Sequence, residues 1–145
     1  HMIESMIALA AFIPVIIGMG GNIGTQSSTI IVRGMATGRI EVGSELLVLI
    51  KELKVGLILG VLYGVLLGIF ANLKFIGTDP MLGLVVGLSI ASSMLIAVTV
   101  GSFTPLILRK LEIDPAVAAG PFVTTSIDIL GVLLYFVIAG ILLKI

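Results

Sequence analysis

Four long apolar stretches alternate with short polar connections along the chain. Each approaches or exceeds the roughly 20 residues that an α-helix needs to cross about 30 Å of hydrocarbon, and the runs are too long for the strands of a membrane barrel. The pattern therefore predicts an all-α integral membrane protein, with a bundle of about four transmembrane helices in one domain over residues 3–145. The predicted spans cover about residues 6–32, 55–73, 81–108 and 115–143.

Composition supports lipid as the solvent of this chain. Hydrophobic residues make up 59% of the sequence, charged residues 11%, and the mean hydropathy is +1.32, which leaves too little polar surface for a soluble domain. The formal net charge is zero and like charges form no block, so nucleic acid is not expected as a partner. The absence of cysteine excludes disulfides, thiolate metal sites and cysteine nucleophiles.

Polar connections set the expected topology. A polar loop is predicted over residues 34–53, with its apolar segment ELLVLI at the membrane interface, and the connections at 72–80 and 109–114 are short enough to make neighbouring spans antiparallel. Most Lys and Arg side chains fall on one side, which the positive-inside rule places in the cytoplasm of a plasma membrane, with both chain ends extracytoplasmic. That set is Arg33, Arg39, Lys51, Lys54, Arg109 and Lys110, against Lys74 and Lys144.

The first two residues, His1 and Met2, resemble the remnant of a cleaved expression tag and are excluded from the interpretation. No basic signal segment precedes the first apolar run. The native polypeptide is therefore expected to continue upstream of this sequence.

Small residues recur at helical spacing in the second and third spans. Such stripes let helix backbones approach closely, which is a main source of cohesion in lipid, so both stripes are interpreted as packing surfaces. Ser92, Ser93 and Thr99 of the third span are expected to bond back to their own helix. The stripes are Gly56, Gly60, Gly64 and Gly68, and Gly83, Gly87 and Ala91.

Asp128 is the only carboxylate deep within an apolar span. A charge at the centre of a lone helix costs about 2.5 to 3.5 kcal/mol on insertion scales, so it needs a partner or water. No Lys, Arg or His lies deep enough in any span to pair with it. The remaining partners are a proton, water, a metal cation, or polar groups of another helix, the last being the purely structural interpretation.

Oxygen-bearing side chains accompany Asp128 at helical spacing, and a second stripe of the same kind lies on the first span. Two such helices facing each other would line a wet path, with Gly and Pro freeing backbone carbonyls along it. The fourth-span stripe is Pro121, Thr124, Thr125, Asp128, Gly131 and Tyr135, and the first-span stripe is Pro14, Gly18, Gly21, Asn22, Thr25 and Thr29, with Gln26 adjoining.

An all-oxygen ligand set favours Mg²⁺, Mn²⁺ or Ca²⁺ over Zn²⁺ or copper. Mg²⁺ commonly binds through one or two carboxylates and keeps several waters, which one Asp128 per chain satisfies. A two-fold dimer with both copies of Asp128 beside its axis would formally neutralise one divalent ion, while Asn22 and threonine oxygens hold its water shell.

The sequence also resembles the transmembrane domain of the MgtE family of magnesium channels and transporters. The resemblance spans nearly the whole chain, and its most specific part combines GGNxGTQ with the DPA, TT and Asp pattern of the last span. The matching segments are IPVIIGMGGNIGTQSSTIIVRGMATG (residues 13–38), KELKVG (51–56) and DPAVAAGPFVTTSIDILGVLLYF (114–136).

This resemblance implies a homodimer whose pore lies at the subunit interface, lined by the first and fourth spans. It assigns Asp128 to the ion site, Asn22 to the pore wall and Asp114 to the cytoplasmic mouth. The family's transmembrane domain has five helices preceded by cytoplasmic regulatory domains that sense Mg²⁺. The first of those helices and the regulatory domains are expected outside this chain.

Two other interpretations stay open at this point. One is a proton- or Na⁺-coupled carrier in which Asp128 titrates during alternating access. The other is a purely structural membrane subunit, in which Asp128→Asn is silent. An enzyme is not expected, because no nucleophile with a base or metal-hydrolase spacing occurs, and GMGGNIG (18–24) follows an apolar helix rather than a strand. Asp114, placed directly before Pro115, is also predicted to cap the last helix.

Overall fold

The computed structural model describes residues 2–40, 43–77 and 79–144. Its four helices confirm the predicted all-α fold, and all four are long and apolar enough to cross a membrane. His1 of the predicted tag remnant and Glu41 of the predicted polar loop lie outside the described residues. The helices are α1 (Met2–Ala36), α2 (Glu45–Lys74), α3 (Leu82–Lys110) and α4 (Pro115–Leu143).

Helix α2 begins at Glu45, so the predicted polar loop ends well before residue 53. The reason is local: residues 45–54 contain neither Gly nor Pro and are rich in Leu, Glu and Lys, which favour helix. A helix of 30 residues is about 45 Å long, which exceeds the roughly 30 Å of bilayer hydrocarbon. The first turns of α2 therefore extend towards a membrane surface.

Helix α3 lies at the centre of the bundle and contacts the other three helices. Along the α2–α3 contact, Gly56 lies against Val98 and Gly68 lies against Gly83, so the residue numbers run in opposite directions. The two helices are therefore antiparallel, as the short connection predicted. Gly24 of α1 lies against Gly101 of α3, and Gly20 lies against Ser93, which makes α1 and α3 parallel.

The glycine stripe of α2 is a packing surface, as predicted. A Cβ atom added at Gly64 would lie 2.6 Å from the backbone oxygen of Gly87, and one added at Gly60 would lie 3.0 Å from the backbone oxygen of Ala91. Both neighbours are backbone atoms of α3, so they cannot move aside as a flexible side chain can. Glycine at these positions lets the two helix backbones touch.

Side-chain hydroxyls of α3 follow two different patterns. Thr99 donates a hydrogen bond to the Leu95 carbonyl oxygen at 2.7 Å, which confirms the predicted bond to its own helix. For Ser92 and Ser93 that prediction was wrong: neither hydroxyl has a hydrogen-bond partner among the described residues, and that of Ser93 is buried. The Ser93 oxygen instead packs closely against Gly20 and Gly131, at the junction of three helices.

A buried hydrogen bond ties α4 to α1. The Tyr135 hydroxyl donates to the backbone oxygen of Leu9 at 2.8 Å, across 126 positions of sequence, and both side chains are buried. Because this bond joins the first and last helices, it fixes how deeply α4 lies against α1.

We expect Tyr135→Phe to destabilise the bundle by about 1 kcal/mol, the typical net contribution of an intramolecular hydrogen bond. The matched control is Tyr63→Phe, because Tyr63 is 38% exposed on α2 and its ring faces outward. The free energy of unfolding is measured in detergent micelles for both variants. Equal losses in the two variants would contradict a specific contribution of the Tyr135 bond.

Candidate ion-binding groove

Helix α1 has two faces with opposite roles. One face packs inside the bundle and consists of Gly20, Gly24, Ser27, Ser28 and Ile31, all buried. The opposite face carries the polar stripe that the sequence predicted. Its residues are exposed in the monomer: Pro14, Gly18, Asn22, Thr25, Gln26 and Thr29.

An exposed polar stripe on a spanning helix is costly if it faces lipid. Hydrocarbon offers no hydrogen bonds, so polar groups at membrane depth normally border protein or a water-filled cavity. The middle of this face is also open, since a Cβ atom added at Gly18 would meet no atom within 4 Å. The open face of α1 is thus suited to lining a wet groove or an interface.

Asp128 of α4 lies beside this stripe, near Gly21. Its side chain is half-buried, and its Oδ1 atom lies 4.0 Å from the position that a Cβ atom on Gly21 would take. The two predicted stripes therefore meet at the pair Gly21 and Asp128. Because Gly21 has no side chain, α1 leaves space in front of the carboxylate.

The polar stripe of α4 divides into two parts. Pro121 and Thr125 are exposed, whereas Gly131 and Tyr135 are buried inside the monomer. The expectation that all of the stripe lines one polar path was therefore wrong for Gly131 and Tyr135, where α4 packs against α1 and α3. The open part extends from Asp128 towards the N-terminus of α4. We call this part of α4, with Pro121, Thr124, Thr125 and Asp128, together with the exposed stripe of α1, the groove.

Threonines along the groove present oxygen lone pairs. Thr25 donates its hydroxyl hydrogen to the Gly21 carbonyl at 2.7 Å, and Thr124, which is half-buried, donates to Gly120 at 3.2 Å and to Pro121 at 3.1 Å. Because each proton is used within its own helix, the hydroxyl oxygens remain as acceptors. Pro121 has no N–H, so the carbonyl of Val117, one turn earlier in α4, lacks its usual hydrogen bond within the helix.

The Asp128 carboxylate has no hydrogen-bond donor and no ion-pair partner among the described residues. Hydrogen bonding across helices, the structural alternative for this residue, is therefore not what the bundle shows. The described residues also contain no group of three or more His, Cys, Asp or Glu side chains suited to holding a metal ion. One chain supplies the groove with a single carboxylate.

Asp114 lies at the other end of the groove and caps α4, as predicted. Its side chain accepts a hydrogen bond from the Ala116 N–H at 2.9 Å, and Pro115 occupies the first helical position. Asp114 is exposed and precedes Asp128 by fourteen residues, which in a helix corresponds to about 21 Å. It belongs to the end of the bundle rather than to the surroundings of Asp128.

Sequence reasoning missed two features near the groove. Glu52, which the sequence placed in the polar loop, accepts a hydrogen bond from the buried Ser27 hydroxyl at 2.7 Å and so links α2 to α1. Gly24, part of the glycine-rich motif, packs against Gly101 and Ile127 instead of facing the groove. The spacing of Gly20 and Gly24, four residues apart, was the available signal for this second packing face.

Four spanning helices with an unpaired carboxylate on an open polar groove define a multi-spanning α-helical membrane protein. Over residues 13–138 the chain matches the MgtE family, described as divalent cation transporters. Because that match covers most of its length, the chain belongs to the MgtE family. The family consists of transporters, which agrees with the expectation that the chain is not an enzyme.

Three curated relatives, each named magnesium transporter MgtE, are similar to almost the whole chain. The protein of Thermus thermophilus is 38% identical over 99% of this chain, that of Bacillus subtilis is 36% identical over 94%, and that of Enterococcus faecalis is 34% identical over 94%. The matched region makes up 31%, 30% and 30% of those relatives, respectively. The chain thus spans less than a third of their length.

Proposed function

We propose that this chain passes Mg²⁺ across a membrane through a pore at the interface of a homodimer, with Asp128 as the carboxylate of the ion site. The open groove of α1 and α4 carries the proposal. Polar side chains that face outward from a spanning helix need water or protein against them. Within the groove, Gly21 of α1 lies next to Asp128 of α4. A second copy of the chain, with its groove facing the first, would cover these side chains with protein and enclose water between the two grooves.

The ligand set supports Mg²⁺ as the transported ion. Groove atoms are carboxylate, amide, hydroxyl and carbonyl oxygens, which suit hard cations. One carboxylate per chain matches the preference of Mg²⁺ for few direct protein ligands and a retained water shell, whereas Ca²⁺ takes more direct oxygens. The relatives named as magnesium transporters favour the same ion, with Mn²⁺ and Ca²⁺ as weaker alternatives.

Two-fold symmetry gives the site its charge. A homodimer with its axis along the groove brings two copies of Asp128 close together, and their two negative charges formally neutralise one divalent cation. Asn22, exposed on α1 beside Gly21, then faces the same space and can bond to the waters of the ion. Thr25, Pro121, Thr124 and Thr125 continue the oxygen lining towards the mouth.

The positions of the Lys and Arg side chains support an orientation of the chain in the membrane. Six of the eight Lys and Arg residues lie at the end of the bundle where α1 ends and α4 begins, and we assign this end to the cytoplasm of a plasma membrane. Asp114 then stands at the cytoplasmic mouth, where its charge attracts cations. The longer relatives are consistent with additional regulatory domains upstream in the native polypeptide.

The transport proposal is tested by reconstituting the chain in liposomes that contain a fluorescent Mg²⁺ indicator. We expect an inward Mg²⁺ gradient to raise the indicator signal faster than in protein-free liposomes, without any proton or Na⁺ gradient. Uptake equal to that of protein-free liposomes would contradict transport by this chain. Uptake that requires a proton or Na⁺ gradient would favour a coupled carrier.

Cross-linking tests the homodimer interface. Because the chain contains no cysteine, single-cysteine variants report only the introduced position. We expect Thr25→Cys, on the open face of α1, to give covalent dimers with a short bifunctional maleimide in liposomes. Val61→Cys, on the exposed side of α2, is the matched control and should give few. Similar dimer yields from the two positions would contradict a pore-side interface at α1.

Two substitutions separate the charge of Asp114 from its capping role. Asp114→Asn keeps the cap and removes the charge, so the free energy of unfolding should stay unchanged while Mg²⁺ uptake falls at low ionic strength and recovers at high salt. Asp114→Ala removes the cap as well and should cost about 1 kcal/mol of stability. If Asp114→Asn transports like the unchanged chain at every salt concentration, Asp114 only caps the helix.

A further inference from the structure

A cationic pocket lies at the end of the bundle where α1 gives way to α2, beyond the last threonine of the α1 stripe. It has a volume of about 640 Å³. Its wall includes the charged side chains Arg33, Arg39, Lys51 and Glu52, together with apolar atoms of Ile40 and Val48. Three cations and one anion leave a net positive charge around a concave space.

The one anion of the pocket is already engaged. The Glu52 carboxylate accepts the hydrogen bond of Ser27, which directs it towards α1. No described residue forms an ion pair with Arg33, Arg39 or Lys51. Unpaired cations around one cavity favour an anion as its occupant, because a bound anion would offset their mutual repulsion.

A folded turn fixes the position of Arg39 in the pocket. The N–H groups of Arg39 and Ile40 both donate to the Gly34 carbonyl, at 2.9 and 3.0 Å, and Gly38 takes the positive φ of +70° that this turn requires. Ile40 then packs over Gly34, where a larger residue would collide with it. The loop therefore holds its arginine next to the last turn of α1.

The helix lengths also lead us to expect the pocket at the depth of lipid headgroups. Arg33 occupies the last turn of α1, and Lys51 lies in the early turns of α2, which extend beyond the hydrocarbon thickness. Basic pockets between helices at a membrane surface suit anionic lipid headgroups, while the apolar wall suits the start of an acyl chain. A soluble anion would use the cations but gain little from Ile40 and Val48.

We infer that this pocket binds the phosphate headgroup of an anionic phospholipid. The inference does not depend on Asp128, and it can therefore fail or hold separately from the ion-site proposal. Two to three Lys or Arg side chains close to one headgroup correspond to a preference of about tenfold or more over a zwitterionic lipid.

Native mass spectrometry of the detergent-solubilised chain tests the inference with phosphatidylglycerol and phosphatidylcholine as probes. The unchanged chain should bind phosphatidylglycerol at least about tenfold more tightly than phosphatidylcholine. The double variant Arg33→Gln/Arg39→Gln should lose most of that preference. The matched control, Arg109→Gln/Lys110→Gln, removes two positive charges from the same end of the bundle and should retain it.

Two outcomes would overturn the assignment. Equal losses in the two double variants would mean that anionic lipids respond to the overall charge of this surface and not to the pocket. Displacement of phosphatidylglycerol by inorganic phosphate at equal concentration would identify a site for a soluble phosphate and not for a lipid. All of these substitutions alter side chains at the surface of the bundle, so thermal melting of each variant is expected to match the unchanged chain.

Discussion

Replacing Asp128 with Asn is expected to reduce Mg²⁺ uptake into liposomes by at least about tenfold, because a dimer would lose both negative charges at its ion site. Removing a close charge partner from a partly desolvated cation costs about 1.4 kcal/mol or more, which corresponds to a factor of about ten. The amide keeps the size and oxygen of the side chain, so the fold should persist. Initial uptake rates with the fluorescent indicator measure the effect.

The control for this substitution is Glu112→Gln, which removes one negative charge from an exposed residue in the connection before α4. Its uptake should stay close to that of the unchanged chain, whereas a general effect of net charge would lower both. Full activity of the Asp128→Asn variant would contradict the ion-site role and favour a structural interpretation of the groove. Loss of activity together with loss of the folded bundle would show that Asp128 is needed for folding.

Replacing Gly101 with Ala is expected to cause the largest loss of stability among single methyl additions to this bundle. A Cβ atom at Gly101 would collide with the Gly24 carbonyl oxygen, a backbone atom of the neighbouring helix. Relief therefore requires α1 and α3 to separate. Overpacking of this kind typically costs about 1 to 3 kcal/mol, and backbone contact places this site at the upper end.

Gly18→Ala is the matched control, because it makes the same change in a helix where the new methyl meets nothing within 4 Å. The higher helix propensity of Ala, about 1 kcal/mol over Gly, should leave this variant as stable as the unchanged chain or more so. The free energy of unfolding in micelles distinguishes the two. Equal stability of the two variants would contradict the close contact of α1 with α3.

The main architecture was predictable because long apolar runs have few stable forms in lipid. Four spanning helices and their antiparallel neighbours followed from run length and short connections, and the α2 stripe of Gly60 and Gly64 identified its own packing face. The start of α2 was not predictable from charge alone. Lys51 and Glu52 resemble loop residues in a hydropathy pattern, yet the same residues favour helix and reach a membrane surface.

The site was predictable in part. Helical spacing put Gly21 and Asp128 on stripes that the structure brings within contact distance. Spacing did not show which members of the α4 stripe are buried, because this depends on which part of α4 packs against α1, and Tyr135 lies in that part. The packing role of Gly24 could not be predicted for a related reason. Around Gly24, one face of α1 is polar and the other carries small residues, and only the contact with α3 shows that Gly24 belongs to the packed face.

The most direct test of the ion site is site-resolved paramagnetic broadening by Mn²⁺, with Mg²⁺ as competitor, in nanodiscs. Mn²⁺ bound in the groove should broaden the NMR signals of residues around Asp128 and Asn22, Mg²⁺ should reverse the effect, and Asp128→Asn should abolish it. Broadening confined to carboxylates of the connections, such as Asp79 and Glu112, with the groove unaffected, would contradict an intramembrane cation site in this chain.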